Sequence, residues 1–166
     1  MGPNPYVIMQ HLGQIATIIQ SISLIMGVAL VFSGLFYLKR YGEQRTFMSQ
    51  QLTLAGPMMR ILAGIFLLVL PTFIGTAMQA FWSTTSPIVY RPSGGGWDQY
   101  VPVILMFVRI IGVGAIIRSI ILISRSGSSG GQPGTLGKAL ILFMSGLLLI
   151  HIVGVYYLLE QILDIA

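Results

Sequence analysis

Residues Ser21 to Gly42 read SISLIMGVALVFSGLFYLKRYG, and this stretch decides the fold class. From Ile15, just upstream, to Leu38 no side chain carries a charge, and Lys39 and Arg40 end the run. About 20 helical residues cross the hydrocarbon of a bilayer. Backbone groups in lipid must bond within their own segment, so a continuous apolar run becomes a helix. A membrane barrel would instead show short alternating segments. Three further runs follow the same pattern: Ile61 to Trp82, Val101 to Ser124 with Arg109 and Arg118 inside it, and Ala139 to Leu159 with His151 inside it.

The composition agrees. Hydrophobic residues make up 55% of the 166 residues and charged residues 8%, against about 25% charged in an ordinary soluble domain. So few charges cannot solvate a protein surface, so lipid is the solvent for most of the chain. A typical cytoplasmic enzyme, a disordered regulator and a soluble nucleic-acid binder are excluded. The net charge of +5 reads as basic residues flanking membrane spans, with no direct nucleic-acid partner. There is no cysteine, hence no disulfide, thiolate metal site or cysteine nucleophile.

The two halves of the chain resemble each other. Phe107 to Gly127 reads FVRIIGVGAIIRSIILISRSG. Placing Gly27 on Gly112 also places Arg40 on Arg125 and Gly42 on Gly127. In the second span of each half, AGIFLLVLP from Ala63 matches SGLLLIHIV from Ser145. A repeat of two spans returns the chain to its starting side, so the halves share one topology about an axis along the membrane normal. The expected fold is an all-α integral membrane protein with four transmembrane helices, arranged as two parallel-repeat helical hairpins. It forms one membrane domain over residues 1–166. Residues 1–14 are an N-terminal segment, 15–82 the first hairpin, 83–100 a loop, and 101–166 the second hairpin with its tail.

Orientation follows from the loops. Lys39, Arg40, Arg45 and Arg60 flank the first loop, and Arg125 and Lys138 the third. The loop from Ser83 to Tyr100 holds only Arg91. The basic loops are then cytoplasmic, and both termini and the middle loop lie on the opposite side. The N-terminus lacks the basic stretch of a secretory signal, so the first span reads as a retained helix. Pro3 and Pro5 are expected to keep its extreme end non-helical, and Pro71 to kink the second helix.

The polar residues within the spans are few. An arginine deep in lipid costs at least ~2.5 kcal/mol on insertion scales. For Arg109 and Arg118 three readings stand: snorkelling or pairing with lipid phosphate, a protein partner (Glu160 for Arg109), and a transport or gating role. His151 reads as a packed, neutral histidine and His11 as interfacial. Metal and acid–base sites need several convergent titratable groups, and nothing in the chain selects such a set. No catalytic, cofactor or metal residue is assigned. The Ser93 to Gly96 run reads as a turn, without the lysine and helix context of a phosphate loop. Small residues are the other signal, because they let helices approach closely where hydrophobicity cannot drive association. The helix-packing candidates are Ser23, Gly27, Gly34, Gly112, Ala115, Ser119 and Gly146, and Gly64, Gly75, Gly114 and Gly154 extend the pattern. The lipid- or partner-contact candidates are Arg109, Arg118, Lys39, Arg40, Arg45, Arg125 and Lys138, with anionic lipid attracted at ~1 kcal/mol per basic residue.

YGEQRTFMSQ at Tyr41 to Gln50, followed by LAGPMMRILAGIFLLVLPT to Thr72, resembles the IcmC/DotE family, including DotV-like proteins. RIIGVGAIIRSIILIS from Arg109 and GGQPGTLGKAL from Gly130 carry the same resemblance. GE-x-RT-x-MSQ is its most specific string. The resemblance implies a bacterial inner-membrane component of the Dot/Icm type IVB secretion system or a related IncI-type conjugation system. The implied partners are a DotA-like polytopic protein and an IcmX-like periplasmic protein, in a multi-subunit complex. The expected function is a non-enzymatic subunit of the translocation channel or platform. A pilin-like self-assembling subunit and a small transporter or channel are the alternatives.

Overall fold

The computed structural model describes residues 4–45, 54–82, 98, 100–127 and 134–163. The described residues are almost wholly helical. In chain order the elements are α1 (Pro5–Arg45), α2 (Ala55–Trp82), α3 (Val101–Ser126), α4 (Thr135–Ile150) and α5 (Ile152–Leu163). Three helices are long and apolar enough to cross a membrane, and four spans result if the bent pair α4 and α5 is counted as one. This is compatible with a multi-pass membrane protein. Apart from Asp98, the loop from Ser83 to Gln99, with the Ser93 to Gly96 run within it, and the Thr46 to Gln50 part of the family-like string lie outside the described residues.

α1 starts earlier than its apolar run. Asn4 caps it, its Oδ1 accepting the Tyr6 N–H at 3.2 Å. Pro5 then opens the helix instead of preventing it, because a proline in the first turn gives up no hydrogen bond. The turns carrying exposed Gln10, His11 and Gln14 therefore extend the helix beyond the apolar part that begins at Ile15. α2 runs through Pro71 without interruption. Its Ala63, Leu67, Leu70, Ile74 and Met78 fall at helical spacing on one buried stripe, which meets Ile116 and Ile120 of α3 and Ile150 of α4 in the core. Phe66 and Phe73 of α2 reach Phe143 of α4, with ring centroids 6.3 and 5.7 Å apart.

Two glycine crossings hold the helix pairs. A Cβ on Gly27 would stand 3.0 Å from the Gly64 carbonyl oxygen, and one on Gly64 would stand 2.8 Å from that of Gly27. Gly112 and Gly146 show the same reciprocity, at 2.8 Å each way. Only a residue without Cβ lets two backbones come this close. Further along, Gly34 lies against Pro57 and Ile61, while Ser119 Oγ donates to the Ala139 carbonyl at 2.6 Å. Both pairs are therefore antiparallel. Gly127, at the end of α3, abuts Ala55 at the start of α2. These contacts gather the C-terminal ends of α1 and α3 and the N-terminal ends of α2 and α4 at one end of the bundle. Lys39, Arg40, Arg60, Arg125 and Lys138 lie there. Arg60 sits inside α2 and stacks on the Tyr37 ring at 3.9 Å, which pins α2 to α1.

The fourth span differs from expectation. Ala139 to Leu159 is not one rod: the helix stops at Ile150, and α5 leaves at 90°. His151 occupies the corner with φ −124° and ψ 51°, and its side chain caps the new helix.

Candidate functional site

Arg109 and His151 lie toward the end of the bundle opposite the basic loops. His151 is 3% exposed. Its Nδ1 accepts the Gly154 N–H at 2.8 Å, the bond that a capping side chain makes to the third residue of a helix. The Val155 N–H bonds the His151 carbonyl at 3.1 Å, closing the first turn of α5. A histidine nitrogen accepts only while unprotonated, so this ring fits the neutral form expected of it. Non-helical backbone at membrane depth is tolerated where protein buries it, and both His151 and Gly154 are buried.

Arg109 is half-buried on α3, two turns past Val101. Among the described residues it forms no ion pair, and neither does Glu160. The Arg109 to Glu160 pair, one of the readings open for Arg109, is thus not formed among the described residues. Gly112, one turn further along α3, lies against Ile150, so Arg109 and the corner stand at about the same level of the bundle. Arg109 also lines a cavity of 270 Å³ between α1, α2 and α3. The polar walls are Arg109, Gln20 and Ser23, and the rest is apolar, including Ile19, Leu70 and Ile110. Ser23 Oγ donates to the Gln20 carbonyl at 2.8 Å, so its proton is committed. Gln20 was not among the sequence candidates. The signal was there: Gln20 is an amide inside an uncharged apolar run.

The other candidates divide clearly. Ser23, Gly27, Gly34, Gly112, Ser119 and Gly146 are buried. Ala115 is half-buried, and the position that meets Gly146 beside Gly112 is Ile116. Gly75 and Gly114 are exposed and face open space, so neither packs against the described residues of this chain. Arg118 is exposed, on a different face from Arg109. Lys39 pairs with Glu43 at 3.8 Å, an exposed pair of little energetic consequence. Arg40, Arg125 and Lys138 are exposed, while the Arg45 side chain lies outside the described set. No group of three or more His, Cys, Asp or Glu that could hold a metal ion occurs among the described residues.

The chain matches no family model, no curated protein and no solved structure.

Proposed function

We propose that the chain is a non-enzymatic inner-membrane subunit of a type IVB secretion or conjugation channel or platform, built from two parallel hairpins. The family assignment rests on the resemblance carried by GE-x-RT-x-MSQ. The observation that carries the structural role is the repeated crossing. Gly27 meets Gly64, Leu67 and Leu68, and Gly112 meets Gly146, Leu149 and Ile150. These are corresponding positions in the two halves of the sequence. Gly34 and Ser119 also correspond, and each faces the corresponding carbonyl, of Pro57 or Ala139. Each half is thus a closely packed unit. Of the most apolar window of α1 only 11% is buried, which leaves that helix open to lipid or to other subunits. In this reading the basic end faces the cytoplasm, where anionic lipid and the positive-inside bias place it. Both termini then face the periplasm, toward the DotA-like and IcmX-like partners.

Mild-detergent purification from the native host, with mass analysis of co-eluting proteins, tests the proposal. Co-elution with a large polytopic protein and a periplasmic component is expected. Recovery of a homogeneous self-assembly without partners would overturn the platform role in favour of the pilin-like or transporter readings.

A further inference from the structure

Arg109 presents an unsolved electrostatic problem. A cation within a span persists when it reaches a polar interface or meets an anion. Its Cα lies about 12 Å along α3 from Val101, at 1.5 Å per residue. Among the described residues no carboxylate pairs with it. It lines instead the 270 Å³ cavity, whose other polar walls are Gln20 and Ser23. At about 30 Å³ per water that space suits a phosphodiester and its neighbouring carbons, not a whole lipid. The apolar remainder of the wall suits those carbons.

An independent feature bears on how deep a phosphate can lie. The apolar part of α4, Ala139 to Ile150, is about 18 Å long, well short of a ~30 Å hydrocarbon layer. Past it the chain turns through 90°. α5 then exposes Tyr156 and Tyr157, residues that favour the headgroup level. Local thinning is one response of a bilayer to a span too short for it. Thinning beside the corner would draw headgroups inward toward the level of His151, and Gly112 against Ile150 sets Arg109 at about that level.

We propose that the cavity between α1, α2 and α3 binds the phosphate of an anionic phospholipid from the leaflet at the α4–α5 corner, with Arg109 as its cationic partner and the Gln20 amide as a second donor. Ser23 contributes no donor, because its hydroxyl proton is held by the Gln20 carbonyl. The acyl chains lie outside the cavity, along the exposed apolar surfaces of α1 and α3. This lipid site is independent of any role in secretion.

Native mass spectrometry of the purified protein, titrated with phosphatidylglycerol, tests it. The wild type should retain one tightly held lipid. Arg109→Gln should lower retention at least tenfold, and Arg118→Gln should change it less than twofold. Ala16→Leu fills the cavity without removing the charge and should lower retention about fivefold, which keeps the test sound if Arg109→Gln does not fold. Retention unchanged in Ala16→Leu, or equal losses in Arg109→Gln and Arg118→Gln, would overturn the site. Displacement of the lipid by millimolar inorganic phosphate would overturn the lipid assignment in favour of a free-anion site.

Discussion

Replacing His151 by leucine should straighten the arm formed by α4 and α5. The corner persists because Nδ1 supplies an acceptor for the Gly154 N–H, at 2.8 Å. Leucine has none. In a membrane an amide hydrogen without a partner is costly, and the nearest replacement acceptor is the Ile150 carbonyl, four residues back in a continuous helix. Loss of a cap costs about 1 kcal/mol, which shifts a bent-to-straight equilibrium about fivefold. The geometry makes the change measurable. From Leu136 to Ile162 a straight helix spans about 39 Å at 1.5 Å per residue. With a right-angled corner at His151, arms of about 22 and 17 Å give a separation of about 28 Å. Both positions are exposed, and the chain has no cysteine to compete for label. Nitroxides at Leu136→Cys and Ile162→Cys, read by pulsed electron–electron resonance in bilayers, should report the shorter distance in the parent. His151→Leu should add a population near the longer one. His151→Asn should stay bent, because an asparagine oxygen caps as well as any side chain. A parent distribution centred on the longer distance would refute the corner. An unchanged short distance in His151→Leu would refute the capping argument.

Glycine substitutions should separate crossing glycines from incidental ones. Gly64→Ala and Gly146→Ala place a Cβ within 2.8 Å of backbone and should destabilise the protein by about 1–3 kcal/mol, read as a lower Tm in detergent. Gly75→Ala and Gly114→Ala meet nothing and should be neutral or slightly stabilising, by up to ~1 kcal/mol of helix propensity. For topology, Ser93→Cys should react with an impermeant thiol reagent from the periplasm and Ser128→Cys should not; the reverse pattern would invert the orientation.

Why the helices were legible and the fourth span was not has one physical origin. Hydropathy reports which solvent a segment prefers, and for Ile15 to Leu38 or Val101 to Ser124 that settles the backbone, since lipid leaves it no alternative to helix. Ala139 to Leu159 has the same preference, yet the corner at His151 is a local exchange of one backbone acceptor for a side-chain nitrogen. An averaged hydropathy does not register that exchange. The cue was a lone histidine three residues before Gly154, within reach of its N–H.

The same distinction runs through the candidate residues. Sequence alone determined that the long segments are apolar enough to cross a membrane, that they are helices, and that small residues would mediate their contacts. These follow from transfer free energies and backbone hydrogen bonding, which act residue by residue. Only the tertiary structure decided which glycines cross, since Gly64 and Gly75 are alike in type and differ only in what stands opposite. Only it brought Gln20 and Arg109, nearly ninety positions apart, to the wall of one cavity through the packing of α1, α2 and α3. It also decided that Glu160 would not answer the Arg109 charge, since the corner at His151 carries α5 away from the line of α4.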